Sequence, residues 1–338
     1  MTRTLAADEK EALRQQLCAM QQYVLEELLV ERAKRSIETL TSVSEETAAD
    51  VIYQIDAIAD RAILEWFAKH WDNQSPVQII MEGLEDALTF PHGTAVEDTT
   101  LKCIIDPIDG TRGIMYDKRS AWILAAIAPQ HGETNTIQDL QVATMTEIPT
   151  TRQWRSDQLS ATQGGGVIGW AFDLREGLAP TAAHFRPSQA SEVRHAFATV
   201  SRFFPEACEL LAQFEEALCL EVYGPEDGHA PLIFNDQYIS NGGQFYEILS
   251  GHDRFVADLR PLALEKLGLG NKLSGHPYDI CCALILQEAG AIIEKPDGSP
   301  LDYPLDTTTP VSWVAYANQT LAGQIRPALI RTVEQVLA

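Results

Sequence analysis

The chain has 338 residues, of which 45% are apolar, and its formal net charge at pH 7 is −23. This length and apolar content suffice for one large or two medium domains with an ample core. The negative charge argues against binding of nucleic acid or of an anionic membrane, because both require clustered Lys and Arg that the sequence lacks. An acidic protein can still bind a phosphorylated small molecule if metal ions reverse the local field.

The six cysteines show no spacing typical of zinc ligands or of a disulfide framework. We interpret them as small buried residues in a reducing compartment. The segment from Met1 to Gln16 is charged and lacks the apolar stretch of a signal peptide, and no apolar run reaches membrane-spanning length. These observations predict a cytoplasmic protein.

An N-terminal helix is predicted from about Asp8 to Leu40, because apolar residues recur there every three or four positions. A short extended segment at Val51–Asp56 leads into an amphipathic helix, which places Asp56 at the helix start. An acidic residue there is commonly an N-cap, and that alternative stays open. Pro76–Met81 is predicted to be a strand that ends at Glu82, a position from which a carboxylate can reach a shared site.

The stretch Leu101–Gly113 carries the most informative pattern. It begins with an apolar run that predicts a buried strand, stopped by Asp106-Pro107. Because proline restricts itself and the residue before it, Asp106 and Asp109 are predicted to flank one tight bend. Two carboxylates that close repel each other unless a cation lies between them, and oxygen-rich sites favour Mg²⁺ where a phosphate completes the coordination. A plain strand followed by an Asx turn is the alternative.

The segments after this motif predict a meander of strands, at Ala121–Ala128, Leu140–Ile148 and Asp157–Gly166. The triple glycine at its end lacks the Lys-Ser or Lys-Thr of a Walker phosphate loop, so we interpret it as a bulge or hairpin feature. Leu174–Ser191 contains prolines and is predicted to be a connection at the boundary between two lobes.

In the second half, Phe197–Val200 is predicted to be a strand and Pro205–Ala217 a helix. A polar loop at 224–236 is suited to an insertion that faces a site. Ser240–Tyr246 places Gly242 and Gly243 before a helix, where glycines permit close approach of a ligand.

The last informative segments lie between Arg254 and Glu294. A strand is predicted at Arg254–Asp258, followed by a polar insertion at Pro261–Lys272. Pro277–Gly290 is predicted to be one amphipathic helix with Asp279 in its first turn and a strand after it. Taken alone, Asp279 is an ordinary helix-start acid.

The six-residue string Asp-Pro-Ile-Asp-Gly-Thr at 106–111 resembles the first signature of the inositol monophosphatase superfamily, a group of metal-dependent, lithium-sensitive phosphatases. This superfamily includes bisphosphate nucleotidases and fructose-1,6-bisphosphatases. The segment from Tyr278-Asp279 to Glu288-Ala289-Gly290 resembles its second signature. Both signatures and the strand that ends at Glu82 occur in the family's order, so the resemblance spans roughly residues 50 to 295.

The chain departs from the family pattern at several positions. Gly83 stands where a second glutamate is common, unless Glu85 or Asp86 replaces that acid. Tyr278 replaces a tryptophan, and Ala291 replaces the last glycine of the second signature. The metal-ligating aspartate of that signature is retained.

The resemblance implies an α/β (α+β) fold, the layered α-β-α-β-α sandwich of the sugar phosphatases. It implies an N-terminal lobe, residues 1–185, with most of the metal ligands. A C-terminal lobe, residues 186–338, would supply the last ligand and the substrate contacts.

The resemblance also implies two or three Mg²⁺ ions. One would be held by Glu82, Asp106 and the carbonyl of Ile108, and another by Asp106, Asp109 and Asp279. Glu82 is the residue that would anchor a third ion.

The catalytic roles implied by the resemblance fall on Asp56, Glu82 and Thr111. Thr111 would orient the attacking water, and Asp56 would be its proton partner. Backbone N–H groups of Gly110 and Thr111 would hold the phosphate oxygens.

Substrate contacts are expected from Arg112, Gly242, Gly243 and Lys272. Inositol-specific members carry an acidic residue several positions before the second signature, where this chain has Lys272. The positive charges of Arg112 and Lys272 are typical of a site that binds a second anionic group of the substrate. The alternative is that both are solvated surface cations.

The leading hypothesis is therefore a Mg²⁺-dependent phosphomonoesterase acting on a small phosphorylated polyol or sugar. One alternative is a 3'(2'),5'-bisphosphate nucleotidase. The other is a non-catalytic protein that binds metal or phosphate. The expected partner is a small-molecule phosphate ester, with neither nucleic acid nor membrane, and a homodimer is left open.

Overall fold

The computed structural model describes residues 3–34, 43–46, 51–84, 88–224, 233–270 and 274–338. Within these ranges the α-helices are, in chain order, α1 (Ala7–Lys34), α2 (Gln54–His70), α3 (Thr111–Met115), α4 (Cys208–Tyr223), α5 (Asn241–Leu249), α6 (Arg260–Lys266), α7 (Ala283–Glu288) and α8 (Gln319–Thr332). The strands are β1 (Val43–Glu46), β2 (Val51–Tyr53), β3 (Val77–Met81), β4 (Leu88–Phe90), β5 (Leu101–Asp109), β6 (Ala121–Pro129), β7 (Val142–Ile148), β8 (Arg155–Thr162), β9 (Gly166–Asp173), β10 (Ala179–Ala183), β11 (Ala196–Val200), β12 (Ile233–Phe234), β13 (Asp253–Asp258), β14 (Ile292–Glu294) and β15 (Trp313–Tyr316).

The larger sheet has the strand order β10-β9-β8-β7-β6-β5-β3-β4 among the described residues. Its central strands β5, β6 and β7 are buried along their whole length, which matches their continuous apolar runs. β3 and β5 are parallel, with Met81 opposite Ile105, whereas the other neighbours in this sheet are antiparallel. The parallel register brings the ends of β3 and β5 to the same edge.

The smaller sheet has the order β12-β11-β13-β15-β14. α1 and α2 cover one face of the larger sheet. α5 and α7 lie between the two sheets, and α4, α6 and α8 cover the outer face of the smaller sheet. The predicted α-β-α-β-α sandwich is therefore confirmed.

A one-residue bulge in β5 corrects the predicted end of this strand. β5 does not stop at Asp106-Pro107 but continues to Asp109, with Asp106 opposite Leu124 and Asp109 opposite Trp122. In a regular strand, residues three apart point to opposite faces. The extra residue on β5 reverses that alternation, so that Asp106 and Asp109 reach the same cavity. Pro107, which has no N–H to donate, lies inside the bulge.

Three further predictions are wrong in detail. The Leu174–Ser191 connection contains β10, which pairs with β9 as an edge strand. Part of the Pro261–Lys272 insertion is α6, where Ala263 and Leu264 are buried in the core. The predicted helix at Pro277–Gly290 is instead a 3-10 helix, Pro277–Ile280, followed by α7.

The triple glycine forms the hairpin turn between β8 and β9, as predicted. The N–H groups of Gly164 and Gly166 donate to the Glu288 carboxylate at 2.7 and 2.9 Å. An internal carboxylate therefore occupies the donors that a phosphate loop would offer to a ligand.

The lobe division between residues 185 and 186 stays a prediction. The larger sheet lies within 77–183 and the smaller within 196–316. Among the helices that the structure describes, none is long and apolar enough to cross a membrane.

Candidate active site

A cavity opens where the ends of β3 and β5 meet α2, α5 and the 3-10 helix at Pro277–Ile280. The N–H of Glu82 donates to the carbonyl of Ile105 at 3.3 Å, which extends the parallel pairing past the end of β3 and holds Glu82 beside Asp106. The described acidic residues that line this cavity are Asp56, Asp60, Glu82, Asp106, Asp109 and Asp279.

Three of these residues form a compact cluster, which we call the carboxylate cluster. Asp106, Asp109 and Asp279 each offer one oxygen atom, and these atoms lie within 4.8 Å of one another. The cluster joins β5 to the 3-10 helix, so residues 170 positions or more apart in sequence meet at one site. Carboxylates at this spacing match the oxygen donors that a hard divalent cation requires.

The electrostatics of the cluster are unfavourable without a cation. Burial, followed by the charges of Glu82, Asp109 and Asp279, raises the pKa of Asp106 well above its usual range. Burial and the charge of Asp279 raise the pKa of Asp109 to about 7. Burial also raises the pKa of Asp279. A cation bound between them would restore the ionised forms, so the donor set fits a divalent metal.

Asp109 is held by the N-terminus of α5. Its Oδ2 accepts hydrogen bonds from Ser240 Oγ at 2.8 Å and from the N–H of Gly242, and its Oδ1 accepts from the N–H of Asn241 at 3.1 Å. Helix N-terminal N–H groups favour a negative charge. These contacts fix the orientation of a carboxylate that would ligate metal.

Asp279 is held in a similar way. Its Oδ2 accepts from the N–H of His276 at 2.6 Å, and its Oδ1 accepts from Asn241 Nδ2 at 3.0 Å. Asn241 is itself oriented by Trp313, whose indole N–H donates to Asn241 Oδ1 at 3.0 Å. Asn241 therefore links the supports of both aspartates.

A hydroxyl–carboxylate pair lies next to the cluster. Thr111 Oγ1 is 2.8 Å from Asp56 Oδ1 and 2.8 Å from the carbonyl oxygen of Ile108. Asp56 Oδ2 also accepts from the N–H of Tyr53 at 2.8 Å. The alternative that Asp56 is the N-cap of α2 is therefore wrong in detail, because Tyr53 is the N-cap and Asp56 is the third helical residue, whose carboxylate accepts from the N-cap N–H. Asp56 also contacts Thr111. A hydroxyl that donates to a carboxylate can accept a hydrogen bond from a water molecule.

The structure places most of the predicted site residues at this cavity. Glu82, Asp106, Ile108, Asp109, Gly110, Thr111, Arg112, Asp56 and Asp279 all line it. Gly110 is the N-cap residue directly before α3. Its φ is +98°, and a Cβ there would lie 3.0 Å from Ser240 Cβ, so the position requires glycine.

Gly242 and Gly243 were predicted to precede a helix, but they lie inside it, as the second and third residues of α5. Both are buried and do not line the cavity, and the Gly242 N–H supports Asp109 instead. Lys272, together with Glu85 and Asp86, lies outside the described residues. The substrate-binding role of Gly242, Gly243 and Lys272 stays a prediction.

Sequence reasoning missed several residues that line the cavity. Asp60 follows Asp56 by about one helical turn, which puts both side chains on one face of α2. This spacing could have indicated from the sequence that Asp60 lies at the same cavity. Burial and the charge of Asp56 raise the pKa of Asp60 to about 7. Phe203, Phe204 and Arg260 carry no local signal, because only the fold brings them to the cavity.

We expect Gly242→Ala to damage the site through packing. The added Cβ would lie 2.7 Å from Leu124 Cδ2, 2.9 Å from Trp122 Cβ and 3.0 Å from Asp109 Oδ2. Such overpacking costs about 1–3 kcal/mol and here displaces a candidate metal ligand. Thermal unfolding and Mg²⁺ titration measure both effects.

The matched control is Gly323→Ala within α8, where nothing lies within 4 Å of the added Cβ. We expect no loss of stability there, since alanine favours helix over glycine by about 1 kcal/mol. Equal effects of the two substitutions on the melting temperature and on Mg²⁺ affinity would contradict the packing argument.

No protein-family model and no curated protein sequence matches the chain. Solved structures do match it over nearly its whole length. The extragenic suppressor protein SuhB of Bartonella henselae is 16% identical, with a TM-score of 0.62 and coverage of 96% of this chain and 99% of that one. A fructose-1,6-bisphosphatase of Leishmania major in holo form is 12% identical, with a TM-score of 0.68 and 99% of each chain covered.

A third similar structure is an IMPase of Thermotoga maritima, 15% identical, with a TM-score of 0.59 and coverage of 94% of this chain and 96% of that one. At these identities the similarity establishes the fold. That fold is the one found in solved members of the superfamily that the two signatures resemble.

Proposed function

We propose that the protein is a Mg²⁺-dependent phosphomonoesterase that hydrolyses a small phosphorylated polyol or sugar. The observation that carries the proposal is the Asp56–Thr111 hydrogen bond beside the carboxylate cluster in one cavity. The names of two structural neighbours, a fructose-1,6-bisphosphatase and an IMPase, are those of phosphatases and support it.

The carboxylate cluster would hold Mg²⁺, together with Glu82 and the carbonyl of Ile108. Two or three ions follow from the resemblance. When bound, these ions would supply positive charge that stabilises the phosphoryl oxygens and lowers the pKa of a nearby water. The oxygen-only donor set of the cluster fits this hard cation.

The residues of the chain would do the remaining work. Thr111 Oγ1 would take a proton from the attacking water while the Thr111 hydroxyl proton moves to the carboxylate of Asp56, so that Thr111 ends as a hydroxyl again. The water oxygen forms the new bond to phosphorus, the ester P–O bond breaks, and the leaving oxygen takes a proton from solvent. N–H groups of Gly110 and Thr111, at the start of α3, would hold the phosphate oxygens.

Metal removal is expected to destabilise the protein more as pH rises. Because the folded state raises the pKa of Asp106, Asp109 and Asp279, the folded metal-free protein binds more protons than the unfolded chain. Its stability is therefore highest near the ordinary carboxyl pKa and falls as pH rises towards about 7, the pKa of Asp109. Each bound Mg²⁺ should raise the melting temperature at pH 7.5 by roughly 4 °C at about 100-fold its dissociation constant.

Calorimetric melting from pH 5 to 8, with Mg²⁺ or with a chelator, measures this coupling. The control is Asp302→Asn, which removes an exposed carboxylate outside the cavity and should keep the same Mg²⁺ response. A metal-free protein whose melting temperature rises over this pH range, or one that Mg²⁺ does not stabilise, would contradict the assignment.

A second candidate is a 3'(2'),5'-bisphosphate nucleotidase. It is favoured by Arg112, which lines the cavity beside Thr111, and by Arg260, a second cation in the same lining. A non-catalytic metal- or phosphate-binding protein is the candidate from another class, motivated by Gly83 in place of the usual second acid. We also propose a cytoplasmic location and leave the homodimer open.

Phosphate release from matched esters separates these candidates. Turnover of inositol or sugar phosphates with Mg²⁺ supports the leading proposal, whereas turnover of adenosine bisphosphate alone selects the nucleotidase. Mg²⁺ binding by calorimetry without turnover of any ester would overturn both enzymes in favour of the binding protein.

A further inference from the structure

Asn241 is the first residue of α5 and one of the residues that line the cavity, and it is 3% exposed. Asparagine at the start of a helix commonly acts as a cap. Here that role belongs to Ser240, whose Oγ accepts a hydrogen bond from the N–H of Gly243 at 2.8 Å. The side chain of Asn241 is therefore free of the capping role, and both of its polar atoms bind residues of other elements.

Asn241 holds two members of the carboxylate cluster at once. Its backbone N–H donates to Asp109 Oδ1 at 3.1 Å, and its side-chain Nδ2 donates to Asp279 Oδ1 at 3.0 Å. The other described donors to these two carboxylates each contact only one of them. Because both donors belong to Asn241, the separation of the two Oδ1 atoms depends on the conformation of a single residue.

The amide of Asn241 is fixed in one orientation by the core. Trp313 is fully buried in β15, and its indole N–H donates to Asn241 Oδ1 at 3.0 Å. An indole nitrogen donates but does not accept, so the amide oxygen must face Trp313 and the amide nitrogen must face Asp279. The Trp313 ring packs edge to face against Phe245 of α5, with 5.0 Å between the ring centres. The orientation is therefore set before any ion binds.

The hydrogen bonds also limit how the two aspartates can hold an ion. Asp109 Oδ2 already accepts two hydrogen bonds, whereas its Oδ1 accepts only the one from Asn241. A carboxylate oxygen has about two acceptor positions, so Asp109 is left to bind an ion through Oδ1 alone. Asp279 accepts one hydrogen bond on each oxygen. Ligation by one oxygen at a fixed separation suits a small ion, whereas Ca²⁺ can take both oxygens of a carboxylate.

We propose that Asn241 determines the cation specificity of the carboxylate cluster, as a positioning residue that favours Mg²⁺ over Ca²⁺. This inference rests on the proposed function, because it takes the cluster to be the metal site of the phosphatase. Mg²⁺ requires a small, nearly octahedral arrangement of oxygens, whereas Ca²⁺ accepts longer and more variable ones. Two aspartates that Asn241 holds in one arrangement therefore penalise Ca²⁺, and two aspartates that can move apart do not.

Asn241→Ala removes the side-chain donor to Asp279 and keeps the backbone donor to Asp109. Loss of a group that orients a metal ligand commonly weakens metal binding about 10- to 100-fold. We expect this loss for Mg²⁺ and a smaller loss for Ca²⁺, since the coordination of Ca²⁺ can adapt. The ratio of the Ca²⁺ to the Mg²⁺ dissociation constant, measured by calorimetric titration without any ester, should therefore fall about tenfold.

Trp313→Phe tests the orientation of the amide separately. It removes the indole N–H and keeps an aromatic ring, so the Asn241 amide can turn over and the ratio should fall by a smaller factor. If the two residues act through one contact, the double variant should have the ratio of Asn241→Ala alone. The matched control is Trp71→Phe, at a buried tryptophan outside the cavity whose indole N–H donates to the carbonyl of Ser75 at 2.7 Å. That control should leave the ratio unchanged.

An unchanged ratio in Asn241→Ala, or an equal fall in Trp71→Phe, overturns the inference. Melting without metal shows whether each variant folds, and if Asn241→Ala does not, an unchanged ratio in Trp313→Phe overturns the inference instead. Turnover of an ester with an unchanged ratio leaves the proposed phosphatase intact. A ratio that falls as expected, in a protein that hydrolyses no ester, supports the role of Asn241 and contradicts the phosphatase. A protein that binds neither cation contradicts both.

Discussion

Replacing Asp109 with asparagine is expected to lower kcat/KM at least about 10³-fold, because metal-assisted charge stabilisation is worth several kcal/mol. Asp109 belongs to the carboxylate cluster, and its oxygens are oriented by Ser240, Asn241 and Gly242. Asparagine has the same size but only one acceptor oxygen and no charge. Mg²⁺ affinity should therefore fall together with turnover.

The fold should survive this change. The pKa of Asp109 is raised to about 7 by burial and by Asp279, so removal of its charge also removes a repulsion in the metal-free protein. Thermal melting without metal provides the check, and Asp302→Asn serves as the matched exposed control. Turnover within tenfold of the wild type, in a folded Asp109→Asn protein, would be incompatible with a catalytic role of the cluster.

Thr111→Val is expected to lower kcat about 10²- to 10³-fold, within the range for loss of proton transfer by a positioned side chain. Valine keeps the shape of threonine but removes the hydroxyl that is 2.8 Å from Asp56. Thr111→Ser keeps the hydroxyl and should retain most of the activity. Because Thr111 is not in the carboxylate cluster, Mg²⁺ affinity should change little.

Asp56→Asn tests whether the two residues act as one unit. If Thr111 passes a proton to Asp56, the double variant should be about as slow as either single variant, since groups that act together are not additive. Steady-state kcat values for the four proteins give the answer. Multiplied losses in the double variant, or a large loss of Mg²⁺ affinity in Thr111→Val, would show that the pair does not act as proposed.

Local patterns predicted individual strands and singled out most of the acidic residues, whereas the layered fold and the metal-ligand roles were implied by the resemblance of the two signatures. The strand at 77–81 and its terminal Glu82 follow from an apolar run with a clear end. The Asp-Pro-Ile-Asp-Gly-Thr string is contiguous, so its two carboxylates could be assigned to one bend. The bulge that brings them to one face was not predicted, because it depends on the pairing of β5 with β6.

The residues that support or complement the cluster were missed for the same reason. Arg260 reaches the cavity only because it begins α6, shortly after the end of β13 in the smaller sheet. Phe203 and Phe204 reach it only because they follow the end of β11. Gly242 was predicted to contact the substrate, because a glycine before a helix permits close approach of either a ligand or another part of the protein. The close approach in the structure is to Leu124, Trp122 and Asp109.

The most direct test is phosphate release by the purified chain from a panel of inositol, sugar and nucleotide phosphates, with Mg²⁺ and with chelator, alongside Asp109→Asn. The account predicts turnover that requires Mg²⁺ and is lost in the variant. A folded, Mg²⁺-loaded protein that releases phosphate from none of these esters, or releases it equally well with chelator, would contradict it.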